Sequence, residues 1–199
     1  MSRKFAALTL LFVAVAGQCE EPKAKDKDKA VRVLIKTDAG DIEVELDGRA
    51  GNTVANFLKY VDGKLYDGGR FHRSVTPDNQ PDNKVKIEVV QAGINPEKTK
   101  DEFPAIKLEH TKDTKVLHKD GTISMARDGP DTATSEFFIC IGDQSELDFG
   151  GKRNPDGQGF AAFGKVVKGM DVVVKIQKAA ADGQILKTPV KIVKVSRLP

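Results

Sequence analysis

The sequence predicts a mainly β domain, a barrel whose ends are plugged by two helices. Short apolar or alternating runs are separated by Gly, Pro, Asn and Asp along most of the chain, which is typical of strands joined by turns. Only two stretches repeat apolar residues at helical spacing. We find no internal repeat in the sequence and no linker between domains, so we expect one domain.

The first predicted elements are a hairpin and a helix. Residues 31–36 place apolar side chains at every second position, and residues 42–47 do so again after an Asp-Ala-Gly-Asp turn. This period of two predicts a pair of antiparallel strands. Asn52 or Thr53 is then expected to cap a helix that ends near Gly63.

Later segments are predicted mostly as strands. A second helix is expected after Gly169, and the turn-rich stretches 76–83 and 150–159 are expected to be polar loops. The remaining short apolar runs are predicted as strands, and they cover residues 70–75, 86–91, 122–127, 136–141, 161–167 and 190–195.

The amino terminus has the pattern of an export signal. Residues 2–4 are a short cationic start, residues 5–16 form a nearly unbroken apolar run, and Ala-Val-Ala at 14–16 is a small-residue cleavage site. The run is shorter than the roughly 20 residues that a membrane-spanning helix needs. We therefore predict a cleaved signal peptide at residues 1–16, with a retained anchor or a buried helix as the weaker alternatives, and an exported protein, periplasmic or secreted.

A charged tether is predicted between the signal and the domain. Residues 20–29 alternate acids and lysines with almost nothing to bury, so residues 17–29 are expected to be solvated and the folded domain to cover 30–199. Cys19 raises the alternative of a lipid anchor of the bacterial lipoprotein kind, although Gln18 before it is a poor match to that signal. Cys140 lies in an apolar run and is expected to be a buried thiol without a disulfide partner.

Composition limits the classes of partner. With 39% hydrophobic and 31% charged residues the chain has an ordinary globular mixture, so disorder of the whole is excluded. The net charge is +3, but lysines and acids are interleaved, so nucleic acid is not an expected partner. His72, His110 and His118 have no metal-like spacing, and neither a metal nor another cofactor is expected.

Five short motifs, in a fixed order, carry a family resemblance. The motifs are Phe-His-Arg at 71–73, Val-Gln-Ala-Gly at 90–93, Gly-Thr-Ile-Ser-Met-Ala-Arg at 121–127, Ser-Glu-Phe-Phe-Ile at 135–139 and Phe-Gly-Lys-Val at 163–166. The ordered set resembles the cyclophilin family over about residues 31–195. The resemblance implies a closed, eight-stranded antiparallel barrel with a helix at each end, and peptidyl-prolyl cis-trans isomerase activity on proline-containing polypeptides.

The same resemblance implies the site. Arg73 matches the family's catalytic arginine and Gln91 the glutamine beside it. A guanidinium held against the proline nitrogen would bind the twisted imide better than either planar form, so no nucleophile is required. The expected substrate-binding residues, partly apolar pocket positions and partly neighbours that contact the peptide, are Phe138, Leu147, Val89, Ala126, Arg127, Glu136 and Phe160.

Several positions depart from the family pattern. Glu136 stands where glutamine is usual, and Glu88 and Val89 stand where larger apolar residues are usual, which predicts a shallower and more acidic pocket. Arg127 is expected to bind peptide through its backbone while its side chain pairs with Glu136. The long loop 76–83 is expected to overhang the site.

A further departure concerns cyclosporin. Glu146 replaces the tryptophan of cyclosporin-sensitive members, and the chain contains no tryptophan, so weak cyclosporin binding is expected. We also expect a monomer. Two alternative functions stay open from the sequence: a catalytically weak module or chaperone that only binds proline peptides on the same fold, and a structural or envelope-attached protein in which the tether matters most.

Overall fold

The computed structural model describes residues 30–199. The predicted signal peptide and the predicted tether, residues 1–29, lie outside the described residues, so both stay predictions. Within residues 30–199, no helix is both long enough and apolar enough to cross a membrane.

A single antiparallel sheet forms the body of the described domain. Its strands follow the order β1-β2-β7-β5-β6-β4-β3-β9-β8, and β9 also pairs with β1. This last pairing closes eight strands into a barrel and leaves the two-residue β8 as an addition on β9, so the predicted eight-stranded barrel is confirmed. The strands are β1 Arg32–Thr37, β2 Gly40–Leu46, β3 Arg70–Val75, β4 Val89–Gly93, β5 Thr122–Met125, β6 Phe137–Cys140, β7 Ala161–Lys168, β8 Ala181–Asp182 and β9 Ile185–Arg197.

Three α-helices accompany the sheet in the described domain. The two predicted helices are α1, Gly51–Asp62, which packs against β7 and β9, and α3, Met170–Gln177, which packs against β2, β3 and β4. The short α2, Thr111–Thr114, has no counterpart in the prediction because four residues carry no helical period. Short 3-10 helices occupy Gly48–Ala50, Pro77–Asn79, Pro96–Asp101 and Ser145–Leu147.

The start of α1 corrects one expectation. Neither Asn52 nor Thr53 is the cap, because the helix begins at Gly51 and the preceding Ala50 makes no side-chain capping bond. Instead the carboxylate of Glu109 accepts hydrogen bonds from the backbone N–H of Asn52 at 3.2 Å and of Thr53 at 2.7 Å. An acceptor distant in the sequence therefore satisfies the orphan amides of the first turn.

Two apolar clusters lie on opposite sides of the sheet. The larger one fills the barrel and contains aromatic rings in edge and tilted contacts, among them Phe57, Tyr66, Phe137 and Phe163. The smaller one, named here the outer cluster, lies on the outer face. Its buried members are Val75, Ile87, Val89, Phe138, Cys140 and Leu147, with Ala126 and Phe160 partly buried against them.

Candidate active site

A β-bulge in β3 brings Arg73 to the outer face. Against β4, Phe71 pairs with Ala92 and Arg73 with the next residue, Gln91, so His72 is an extra residue of β3. In a regular strand Phe71 and Arg73 would face the same side. Because one inserted residue reverses the alternation, Phe71 is buried in the barrel while Arg73 lies with Val75 on the outer face.

Four strands then align one row of outward side chains. Arg73 on β3 pairs with Gln91 on β4, Gln91 pairs with Phe138 on β6, and Phe138 pairs with Ser124 on β5. Neighbouring strands lie about 4.8 Å apart, so the row runs from a cation through an amide to an aromatic ring. The structure thus brings Arg73, Gln91 and Phe138 together, as the sequence predicted, while their roles stay predictions.

Two glutamine side chains hold the guanidinium of Arg73. Its Nη1 donates to Oε1 of Gln91 at 2.8 Å, and its Nε and Nη2 donate to Oε1 of Gln184 at 2.9 and 2.5 Å. A guanidinium has five N–H bonds, so one N–H on each terminal nitrogen is left for a substrate. Burial lowers the pKa of Arg73 from its ordinary value, but an arginine starts so high that it stays charged at neutral pH.

Glu136 contacts Gln91 on the side of the amide opposite to Arg73. Its Oε2 accepts a hydrogen bond from Nε2 of Gln91 at 3.0 Å and lies 3.5 Å from Nε2 of His72. Burial raises the pKa of the Glu136 carboxyl, while the bond from Gln91 and the proximity of His72 oppose that rise. Gly93 leaves room for this carboxylate, because a Cβ at position 93 would overlap Oε1 of Glu136.

The outer cluster forms the apolar part of the site. Val89, Phe138 and Leu147 are all buried, whereas Ala126 and Phe160 are partly open. The rings of Phe138 and Phe160 meet edge to face with centroids 5.3 Å apart. All the apolar residues predicted for the site therefore lie in one cluster beside Arg73, with Ala126 and Phe160 as its accessible members.

Arg127 corrects a further expectation, because its side chain does not pair with Glu136. Its two terminal nitrogens form a bidentate pair with Asp156, at 2.8 and 3.0 Å, and its Nε donates to the carbonyl of Gly159. The guanidinium also lies over the ring of Phe160, 5.2 Å from its centroid. Arg127 thus fastens the loop before β7 and holds Phe160 against the cluster.

A hydrogen-bonded histidine, His118, stacks against the ring of Phe138. His118 is buried, with Nδ1 2.7 Å from Oδ1 of Asp148 and Nε2 2.9 Å from Oγ of Ser124. Its ring stacks on Phe138 at 6.0 Å. Although the three groups have the order of a hydrolase triad, Ser124 is fully buried and no substrate carbonyl can reach it. Within residues 30–199, no group of three or more His, Cys, Asp or Glu side chains is arranged to hold a metal ion.

The loop at 76–83 is folded against the domain. Asn79 donates from Nδ2 to the carbonyls of Ser74 and Gly183, at 2.9 and 3.0 Å. Gln80 is buried and bonds both backbone groups of Ile87. Because these side-chain bonds replace ladder bonds at Ile87, β4 begins at Val89 and not at residue 86, as the sequence had suggested.

Gln184 is the site residue that the sequence did not indicate. It lies in the turn between β8 and β9 and meets Arg73 across 111 positions of sequence. Gln184 belongs to no motif and to no alternating run, because a single polar residue in a turn forms no sequence pattern. Only the Asp-Gly pair at 182–183, a turn signal, pointed to this segment.

Comparisons with known proteins agree with this geometry. The family model described as cyclophilin type peptidyl-prolyl cis-trans isomerase/CLD matches residues 32–197. Peptidyl-prolyl cis-trans isomerase A of Dickeya dadantii is 36% identical over 155 residues, which is 77% of this chain and 74% of the relative. Peptidyl-prolyl cis-trans isomerase of Acinetobacter baylyi is 35% identical over 170 residues, covering 82% and 83%.

Solved structures show the same fold. A Cryptosporidium parvum cyclophilin type peptidyl-prolyl cis-trans isomerase superposes with a TM-score of 0.68 at 20% identity, covering 86% of this chain and 99% of that one. A second crystal structure of that protein, obtained in the presence of the dipeptide Ala-Pro, gives 0.65 at 20% identity, with coverage of 82% and 96%.

Proposed function

The chain belongs to the cyclophilin-type peptidyl-prolyl cis-trans isomerase family and has that enzymatic activity, and from this premise we propose that Arg73 is its catalytic group. The observation that carries the proposal is the held guanidinium, which keeps two N–H bonds free beside an apolar cluster.

The chemistry needs only a twisted imide. Rotation about the bond before proline has a barrier of about 20 kcal/mol, because the planar imide is conjugated. When the bond twists, the proline nitrogen becomes pyramidal and gains a lone pair. A cationic donor against that lone pair stabilises the twisted state more than either planar state, which lowers the barrier.

The partners of Arg73 preserve its charge. Both Gln91 and Gln184 contact it through neutral amide oxygens, and the carboxylate of Glu136 is one residue farther away. A direct ion pair would have neutralised the guanidinium and spent its donors. The arrangement therefore offers an oriented cation that forms no direct ion pair, with Gln91 also able to contact the peptide backbone.

The apolar cluster is proposed to bind the proline ring. Phe138, Leu147 and Val89 supply the buried floor, and Ala126 and Phe160 supply the accessible wall. An apolar surface next to Arg73 excludes water and strengthens the field of the guanidinium. The backbone near Arg127 and the carboxylate of Glu136 are proposed to contact the residues that flank proline.

The proposed substrates are X-Pro bonds of exported or unfolded polypeptides. The support comes from the export-like pattern of residues 1–16 and from the slow uncatalysed reaction, which takes tens to hundreds of seconds and limits folding. On the same grounds we propose an exported protein, periplasmic or secreted, that assists folding. Mass analysis of the mature amino terminus distinguishes simple cleavage from lipidation at Cys19.

We further propose a monomer that binds cyclosporin weakly. The carboxylate of Glu146, at the position of the tryptophan of cyclosporin-sensitive members, accepts a bond from the backbone N–H of Lys152 at 2.8 Å. A charged group there gives a bulky apolar ligand no aromatic surface to cover. Titration with cyclosporin is expected to need far higher concentrations than a tryptophan-containing member needs.

The test of Arg73 is an isomerisation rate measured by NMR exchange on an X-Pro peptide, without a coupled protease. Removal of a single transition-state donor typically costs about 10²-fold or more in rate, so Arg73→Ala should lose about that factor in kcat/KM. Arg32→Ala, which removes an exposed arginine on β1, is the control and should keep full activity. Circular dichroism must first show that each variant is folded.

The outcomes of this test decide the role of Arg73. Acceleration that is lost only in Arg73→Ala establishes Arg73 as the catalytic group. Full activity in a folded Arg73→Ala variant would contradict the assignment of Arg73.

A further inference from the structure

We propose that Gln184 and Glu136 are positioning residues, which together fix the plane of the Arg73 guanidinium and the direction of the bonds that hold it. The inference rests on the proposed catalytic role of Arg73. Gln184 acts directly from the turn between β8 and β9, and Glu136 acts through Gln91.

The hydrogen-bond donors and acceptors on either side of Gln91 dictate the orientation of its amide. An amide side chain can donate at its nitrogen or accept at its oxygen, whereas arginine only donates and an ionised carboxylate only accepts. Gln91 lies between one of each, Arg73 at 2.8 Å and Glu136 at 3.0 Å. Only one amide orientation satisfies both neighbours, with the oxygen toward Arg73. A glutamine at position 136 would accommodate either orientation of Gln91.

The same logic holds on the opposite edge of the guanidinium. Gln184 donates from Nε2 to the carbonyl of Asn79 at 3.1 Å, and a carbonyl only accepts. Its oxygen is thereby turned to Nε and Nη2 of Arg73. Asn79 is itself anchored to Ser74 and Gly183, so the 76–79 turn and the β8–β9 turn form one support.

Two directed acceptors on opposite edges leave the guanidinium little freedom to rotate. They engage three of its five N–H bonds and leave one on each terminal nitrogen for the substrate. Loss of either acceptor frees rotation about the side-chain bonds of Arg73. We expect such a loss to lower the rate of the chemical step more than the affinity for peptide, because alignment matters most in the twisted state.

The first experiment removes the support from the turn. In the full-length chain, Gln184→Ala is expected to lower kcat about tenfold with peptide affinity within twofold of wild type. In ¹⁵N spectra, the Nε–H signal of Arg73 should broaden or disappear through faster exchange with water. Gln177→Ala is the matched control, since it removes an amide that donates to Glu88 at 3.0 Å and does not contact Arg73.

The second experiment addresses the direction of the amide. In the wild type, kcat/KM should fall as the pH falls through the raised pKa of Glu136, because the protonated acid can donate and no longer dictates the orientation of Gln91. Glu136→Gln should remove this acid limb. The charged and titratable groups that face Glu136 are Arg70, His72, Arg73, Glu102 and Tyr66, so His72→Asn is the control and should retain the limb.

The outcomes are distinct from those that test the function itself. All measurements use a wild type already shown to be active and dependent on Arg73. A folded Gln184→Ala variant with wild-type kcat, or one whose Arg73 signal is unchanged, would overturn the role of Gln184. If the acid limb disappears in His72→Asn but persists in Glu136→Gln, the role of Glu136 is wrong.

Discussion

The two sides of β6 use the same kinds of residue for different purposes. Phe137 and Ile139 face the interior of the barrel, and Phe138 and Cys140 face the outer cluster. Phe137 meets three other aromatic rings edge to face, with centroids 5.5 to 6.0 Å apart. Phe138 instead lies on the imidazole of His118 and against Phe160.

The difference lies in what borders each apolar group. The interior ring is enclosed by other buried side chains of the larger cluster, among them three aromatic rings, so its burial serves stability. The outer ring has Gln91, the hydrogen-bond partner of Arg73, on the neighbouring strand, and it stacks on a histidine that bonds Asp148 and Ser124. An apolar group next to an oriented charge is what a transition state with a developing lone pair requires.

The largest expected effect is a loss of stability on substitution at the interior side of β6. Phe137→Ala should lower the free energy of unfolding by about 3–5 kcal/mol, because it leaves a cavity among rings that cannot collapse. Urea unfolding followed by circular dichroism measures the change. A loss below about 1 kcal/mol would show that the interior relaxes and that the two sides are not distinct in packing.

The next effect concerns the outer side. Phe138→Ala should destabilise less, by about 1–3 kcal/mol, since the cluster is small and partly open. It should raise the Kd for a proline peptide about tenfold, which corresponds to about 1.4 kcal/mol. Titration of the folded variant with peptide, in buffer without urea, measures this Kd. Unchanged affinity in the folded variant would place the proline ring elsewhere.

The smallest expected effect again concerns the interior side of the sheet. It is a loss of stability that appears only in alkaline solution, where tyrosine side chains titrate. Burial raises the pKa of Tyr60 to about 12 and that of Tyr66 well above its usual range, and the chain has two tyrosines. An unfolded tyrosine titrates near pH 10. The folded state then binds more protons than the unfolded state above that pH, so stability should fall as the pH rises from about 10 to about 12.

Absorbance at 295 nm reports this titration directly. The folded chain should show little tyrosinate at pH 11, and the same sample in denaturant should show nearly two equivalents. A normal titration in the folded chain would mean that water reaches the interior rings.

Particular residues show how much of the fold and the site could be predicted from the sequence. The alternation of β1 and β2, the helical period of α1 and the ordered motifs predicted the barrel and brought Arg73, Gln91 and Phe138 into one hypothesis. The pairing of Arg127 with Glu136 was wrong, because Asp156 and the carbonyl of Gly159 lie closer once the loop folds back. No local pattern records which loop returns to which side chain.

The sequence by itself determined the elements and the chemical inventory of the site, because period and residue type are local properties. The tertiary structure alone decided three things: the bulge at His72 that turns Arg73 outward, the capping of α1 by Glu109, and the support of Arg73 by Gln184. The physical reason is distance along the chain. Glu109 and Gln184 act across 56 and 111 positions, and only packing and the need to satisfy every buried donor bring such partners together.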